Sequence, residues 1–473
     1  MVRNEWTLKI KEFGKIKETS ITVSPFMMFV GHNNSGKSYI MELLWGLMMK
    51  AEQLSSLSQP EVIAKIQQKI EPMKGMDQYE VTIDEEVQKT FINEWNRILN
   101  ERKKELIQSI FRHDINIDML EIERETYLPI TISWELKEEI PDQTSNDKIL
   151  RYIISVDGKQ YHSLGGHLKQ GSWENPEGKH MKDLLMSEAI KTLFLMQFHY
   201  GYLGKQRNFN PNTNQPLYFP ASRTGFMQTY KAIVGNLLTN KEELFITDQP
   251  AERPEIIEGT TLTWPTQNYL TRLVKLTSSE EYEEKYKDLL QFMEIHLMKG
   301  SVQKTDLGQF EFISDQDKRL PLHITSSLIA ELAPLYLFLT SSKQSDLWLI
   351  EEIESHLHPN IQLEVARLLM RLTHAGFNIW MTTHSDNIVN VVNNMLVLAQ
   401  KENRTELLQK LGWELQDLPI RVSDIKLYQF DNSLTETTIT ELPLGANGFE
   451  VESFNDALDK LIENTVTIQN DGV

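Results

Sequence analysis

The chain has 473 residues, 40% of them hydrophobic, a length that as a soft prior means about three domains of ~150 residues or one domain carrying insertions. A net charge of −19 argues against nucleic-acid binding through the overall field, and the absence of cysteine excludes disulfides and thiolate zinc sites and fits a cytoplasmic location. No run approaches about 18 uninterrupted apolar residues, so no membrane span is expected, and the opening MVRNEWTLKIKEFGK lacks the apolar core of a signal peptide.

In chain order, WTLKIKEFGKIKETSITV reads as a hairpin turning near Gly14. PFMMFV follows, a short continuous apolar run of the kind a buried strand needs. Then comes Gly31-His32-Asn33-Asn34-Ser35-Gly36-Lys37-Ser38, which matches G-x-x-x-x-G-K-[ST], and SYIMELLWGLMMKAEQL continues with helical spacing. Strand, glycine-rich loop and helix form the arrangement that cradles phosphate. The glycines let backbone N–H groups turn inward, and the helix N-terminus adds the positive end of its dipole. Gly31, Asn33, Asn34, Ser35, Gly36, Lys37, Ser38 and Tyr39 are therefore candidate ATP-binding residues. Lys37 is placed to reach the β- and γ-phosphates, and the Ser38 hydroxyl to hold Mg²⁺.

Residues 52–190 read as an insertion: a long charged helix over DEEVQKTFINEWNRILNERKKELIQSIFRH, then strand-like alternation in PITISWELKEEI and KILRYIISVDGKQYH. Its cations near 97–112 are interspersed with acids, which suits a solvated helix face, with a DNA- or partner-docking helix as the alternative. There are no sustained heptads, so no long coiled coil is expected. A second insertion, 228–315, reads as mostly helical around YLTRLVKLTSSEEYEEKYKDLLQFMEIHL, with a hairpin following at SVQKTDLGQFEFISDQDKRLPL. Asp315-Gln316-Asp317 in that hairpin reads as a solvated turn.

In LPLHITSSLIAELAPLYLFL, Thr325-Ser326-Ser327 stand before an apolar run as an N-cap cluster, or alternatively as a helix head donating to a γ-phosphate in trans. SDLWLIEEIESHLHPN supplies a buried strand followed by Glu351, a candidate Mg²⁺ ligand. Glu352, facing the other way on an extended chain, is the candidate base for the attacking water. FNIWMTTHSDN gives another strand, and its spacing from residue 347 suits a parallel βαβ unit. Thr383 and His384 then emerge beside Glu352 at the carboxyl edge of the sheet, where ligands of open α/β sheets bind. His384 is a candidate contact for γ-phosphate or water, or else an exposed residue in a capping turn. DIKLYQFDNSLTETTITELPL reads as a hairpin and ESFNDALDKLIENTV as a last helix capped by Ser453.

Taken in order, GHNNSGKS, ITSSLIAEL, LIEEIESHLHP and TTHSDN resemble the head of an ABC-type ATPase, most closely the OLD-like and SMC/RecF-like ATPases of prokaryotes. The resemblance covers residues 1 to ~50, ~190 to 230 and ~315 to 473. It implies an α/β P-loop ABC-type head with an antiparallel edge sheet, in three parts (1–51, 191–227 and 316–473) separated by the two insertions. It makes Thr325–Ser327 the signature segment, Ser355-His356-Leu357-His358 the D-loop and His384 the switch histidine; the usual Gly pair of the signature is missing, and Glu351 replaces the more usual Asp. YFPASRTGFM resembles a PASR segment of this group, so Arg223 is expected at the nucleotide or at a dimer interface, or in a plain strand-to-helix turn with Ser222 as cap. The expected activity is ATP hydrolysis with Mg²⁺, in a homodimer or higher oligomer whose composite sites include Ser326 and Ser327 of the other chain. OLD nucleases carry a Toprim domain after the head, and no matching carboxylate set follows His384. The resemblance thus points to an anti-phage sensor or regulatory subunit with a separate effector, expected to be a nuclease. Alternatives are a RecF-type DNA repair ATPase, which the acidic charge disfavours, and an ATP-dependent scaffold with little turnover.

Overall fold

The computed structural model describes residues 5–55, 60–70, 78–127, 130–138, 148–156, 159–168, 215–230, 262–305 and 308–470. Most of the segment 191–227 expected to return to the head, and the beginning of the second insertion, lie outside these. The chain forms two compact units, one comprising 1–24, 46–106 and 115–215, the other 25–45, 107–114 and 216–473.

In the first unit, Thr7–Phe13 and Ile16–Thr22 form the expected hairpin around Gly14, which takes a positive φ of 59°. Met119–Glu123 pairs antiparallel with the outer side of Thr7–Phe13. The helix Glu85–Phe111 is fastened to that strand by side chains acting as backbone mimics. Asn96 exchanges two hydrogen bonds with Ile122, at 2.9 and 2.8 Å, and Asn100 accepts from Leu120 N at 3.2 Å. Its charged residues pair along the exposed face, as at Arg97–Glu101 and Lys89–Glu85, both one helical turn apart. A separate antiparallel sheet runs Gln78–Ile83, Ile130–Glu138, Lys148–Val156, Lys159–Leu168.

The second unit is built on a mixed sheet in the order Thr437–Glu441, Ile425–Asn432, Phe26–Gly31, Asn378–Thr382, Leu347–Ile350, Leu217–Phe219. The first pair is antiparallel and all the others are parallel. Phe26–Gly31, Asn378–Thr382 and Leu347–Ile350 are buried at every residue, as strands of a parallel sheet covered on both faces must be. Leu347–Ile350, the helix Pro359–His374 and Asn378–Thr382 form the parallel βαβ unit that the spacing predicts. Ile425–Asn432 is the first strand of the C-terminal hairpin. Sequence reading leaves its place open, and the structure inserts it parallel to the loop strand.

Gly300–Lys304, Phe310–Ser314 and Arg319–Pro321 make a small antiparallel sheet, with Asp315-Gln316-Asp317 in the turn between the last two. The final helix begins at Glu452, so Ser453 falls inside its first turn.

Candidate nucleotide site

The loop grows out of Phe26–Gly31. Gly31 has φ 137°, and a Cβ there would lie 2.2 Å from the carbonyl oxygen of Phe430 on the adjoining strand, so only glycine fits. Asn34 at φ 60° and Gly36 at φ 90°, with Ser35 between them not in that region, turn the backbone toward an anion-binding concavity. The helix starts at Lys37, and Ile40 N donates to Gly36 O at 3.1 Å. The Lys37 ammonium has three donors, and they reach Gly31 O at 3.0 Å, His32 O at 2.8 Å and Ser35 Oγ at 3.2 Å. Burial pushes Lys37 down to about 8, against the opposing pull of Glu352, Glu354 and Glu351. Ser35 is buried; Asn33, Asn34, Ser38 and Tyr39 are exposed, and Tyr39 tilts against Phe111 at 5.4 Å.

The acids leave Leu347–Ile350, two strands from the loop strand, with Asn378–Thr382 between them. Glu351 still belongs to the ladder, since its N–H donates to Phe219 O at 2.9 Å. Glu352 does not continue an extended chain, as alternation would have it. Its φ is 40°, a left-handed conformation rare for a residue with a side chain, and the backbone turns there. Thr382 Oγ1 accepts from Glu352 N at 2.9 Å, Ser355 N donates to Glu352 O at 2.9 Å, and Ser355 Oγ donates to Glu352 Oε2 at 3.1 Å.

Burial raises the Glu351 carboxyl, while the Ser38 and Tyr218 hydroxyls and the Ala221 N–H favour its ionised form. Its Oε1 is buried with no partner in full hydrogen-bond geometry among the described residues. A serine hydroxyl beside an under-bonded carboxylate oxygen is the donor set a hard cation takes, so Ser38 and Glu351 fit Mg²⁺.

Thr383 and His384 follow the middle strand. His384 N donates to Glu354 Oε1, and Ser385 caps the next helix by accepting from Ile388 N at 3.3 Å. Burial and the Lys37 ammonium lower the His384 imidazole, partly opposed by Glu352 and the Gly31 backbone, so it is neutral at pH 7. Lys37, Glu351, Glu352 and His384 therefore share one neighbourhood at the carboxyl edge of the sheet. Ser326 and Ser327 are placed at the head of the helix Ser327–Leu339. Ser326 caps it, accepting from Ile329 N at 3.4 Å, and among the described residues neither serine bonds to the Gly31–Ser38 loop.

Arg223 stands where the strand Leu217–Phe219 turns into a helix, with Phe226 N donating to Ser222 O at 3.1 Å, as the plainer of the two sequence readings has it, but its side chain does more than such a turn requires. It is wholly buried, donates to backbone carbonyls at Pro220, Glu351 and Glu352, and pairs with the equally buried Glu331. Sequence reading also passes over Glu42, Thr263, Tyr218 and Glu354. Glu42, on the helix that follows the loop, accepts from Thr263 Oγ1 at 2.6 Å, and burial lifts it to about 8. Burial likewise raises Glu354, against the pull of the His384 N–H. Glu354 carried a signal of its own, as a third acid within four residues; Glu42, an ordinary helix glutamate, carried none.

A parallel sheet, a phosphate-cradling loop at one strand's carboxyl end and a pair of acids at that of another define a P-loop nucleotide-binding protein. The chain belongs to the AAA ATPase domain family, whose model matches residues 7–389. None of the curated proteins compared with the chain matches it. Among solved structures, an Smc head bound to the C-winged helix domain of ScpA is similar at 12% identity and TM-score 0.35, over 94% of this chain and 98% of that one. The SMC head domain from Thermotoga maritima is similar at 11% identity and TM-score 0.34, over 93% and 100%. Among the described residues no helix is long and apolar enough to cross a membrane.

Proposed function

We propose that the protein binds ATP in the Gly31–Ser38 loop and hydrolyses its γ-phosphate with water positioned by Glu352. The observation that supports this best is the convergence of Lys37, Glu351, Glu352, Glu354 and His384, in which Lys37 is influenced by the three carboxylates and His384 by both Lys37 and Glu352.

The loop N–H groups and Lys37 bind the phosphates, and Lys37 trades its acceptors at Gly31, His32 and Ser35 for phosphate oxygens. Ser38 and Glu351 would hold Mg²⁺, which would supply positive charge against the phosphate oxygens. Glu352, its carboxylate held by Ser355 Oγ, orients the water and accepts its proton as the water oxygen bonds to the γ-phosphorus, the bond from that phosphorus to the bridging oxygen breaks, and ADP leaves with the bridging oxygen. Neutral His384 accepts from that water or donates to the γ-phosphate, according to its tautomer.

The same reading makes the working unit a dimer in which Ser326 and Ser327 of one copy meet the nucleotide held by the other. The motive is the sequence resemblance together with the exposed head of that helix. Ser326→Glu places a negative charge at both symmetry-related sites, and is expected to cut turnover at least tenfold while ATP affinity changes little. Normal turnover of Ser326→Glu, measured beside the mass of the ATP-bound complex, removes the composite site. On the resemblance alone we extend the reading to a cytoplasmic sensor subunit of an anti-phage system with a separate nuclease effector. Purification of the native complex and identification of its partner tests that extension, and a DNA repair partner in place of a nuclease would overturn it.

A further inference from the structure

We propose that Arg223 and Glu331 are positioning residues for the carboxylates at 351–352, and that they tie those carboxylates to the helix headed by Ser326 and Ser327. The inference rests on the reading above that Glu352 acts on water.

Arg223 lies in the turn after Leu217–Phe219 and has no exposed surface. Its guanidinium spans the point where the acidic turn leaves the sheet: Nη1 donates to the carbonyls of Glu351 and of Pro220, the latter at 3.2 Å, and Nη2 donates to Glu352 O at 3.0 Å. The two acid-end carbonyls flank the residue whose φ is 40°. With Thr382 on its N–H and Ser355 and Arg223 on its carbonyl, Glu352 has every backbone polar group fixed. A backbone conformation this sparsely populated persists only where its surroundings over-determine it.

Glu331 closes the bracket from the other side. It is also fully buried and pairs with Arg223 Nη2. Its Oε2 accepts from Thr224 Oγ1 at 2.6 Å and Thr224 N at 3.3 Å, and Thr224 Oγ1 also donates to Ser327 O at 3.4 Å. A path of polar contacts therefore runs from Ser327 to Thr224, whose one hydroxyl proton is shared between Ser327 O and Glu331, then through the Glu331–Arg223 ion pair to the carbonyls of Glu351 and Glu352.

Stability alone does not account for the pair. Two charges cost much to bury, and well-packed apolar residues of similar volume are often as stable or more so. Apolar residues cannot donate to two carbonyls and hold the turn between them. Displacement of a reacting group by about 1 Å can cost about 10²-fold in rate, so the fork belongs to the aim of the Glu352 side chain. Because Glu331 stands one turn into the helix of Ser326 and Ser327, a shift of that helix head reaches Glu352 by the same route.

The test measures thermal stability, ATP affinity and phosphate release for Arg223→Met, Glu331→Leu and the double variant. The single variants should lose stability, each leaving an unpaired buried charge. The double variant should be more stable than either single variant but short of wild type, since the Pro220 and Glu351 carbonyls lose their donor, and with ATP affinity kept it should still turn over about 10²-fold more slowly than wild type. Recovery of turnover along with stability would show the pair to be structural and overturn the proposal. Arg223→Lys is the gentler control: it keeps the charge opposite Glu331, but a single ammonium cannot reproduce the planar fork. It should bind ATP normally and turn over about tenfold more slowly, and wild-type turnover there also overturns the proposal. Wild type and Glu352→Gln run alongside. If wild type releases no phosphate, or Glu352→Gln matches it, the hydrolytic reading itself fails; if both behave as that reading requires and the Arg223 variants do not, only the positioning role falls.

Discussion

Lys37 finds its acceptors at Gly31, His32 and Ser35, all within six residues. Glu351 and Glu352 are held by Ala221, up to 130 residues away, by Arg223 and by Thr382. The loop is thus shaped mostly by its own sequence, through glycines, a left-handed asparagine and a lysine folding back on its own carbonyls. The acidic end is shaped by the fold, and its key backbone angle is held by side chains from another turn and another strand. A phosphate cradle needs only local N–H groups and a cation, whereas aiming a base at water needs rigid support from several directions.

That contrast predicts different failures. Lys37→Ala has the largest expected effect. It removes the loop's cation and should weaken ATP by at least about 10²-fold, since hydrogen bonds from a charged group contribute about 1.5–3 kcal/mol each. An ATP titration showing unchanged affinity would break the assignment of the loop. Thr382→Val acts at the acidic end. It leaves Glu352 N without its acceptor, and should cost about 1 kcal/mol of stability and about tenfold in turnover, with ATP affinity intact. Equal losses of affinity and turnover in that variant would erase the distinction between the two regions.

The smallest effect concerns Glu42, behind both. Its carboxyl titrates near 4.5 when free and near 8 in the fold. Between those values the folded chain holds a proton that the unfolded chain has released, so stability falls as pH rises through the window and levels off above 8. Glu42→Gln keeps an acceptor for Thr263 and removes the titration. It should raise the melting temperature by about 2 °C or more at pH 8.5 and by less at pH 5. A variant that tracks wild type at both pH values would mean that Glu42 carries no shifted proton.

The same contrast explains what could be read from the sequence. The loop, the first hairpin and the βαβ unit were legible because each is encoded in contiguous residues by periodicity and glycine placement. Glu351 and His384 could be placed near the loop once the strands were recognised as parallel. The left-handed turn at Glu352 was not legible, because alternation along a strand says nothing of where the strand ends. The PASR segment stood out, but the direction of Arg223 depended on Glu331, more than a hundred residues on. The insertion of Ile425–Asn432 beside Phe26–Gly31 was equally hidden, since a hairpin's sequence fixes its own pairing and not its neighbour. Ser453 looked like a helix cap, yet the helix begins one residue earlier.

The most direct test of the central claim, that the loop holds ATP while Glu352 turns it over, is phosphate release by Glu352→Gln measured together with ATP affinity. Gln keeps the size of the side chain and an oxygen for Ser355 but cannot take the proton. ATP affinity within a few-fold of wild type with turnover reduced by about 10²-fold or more is the expected result. Wild-type turnover by Glu352→Gln, with ATP bound, would contradict the account.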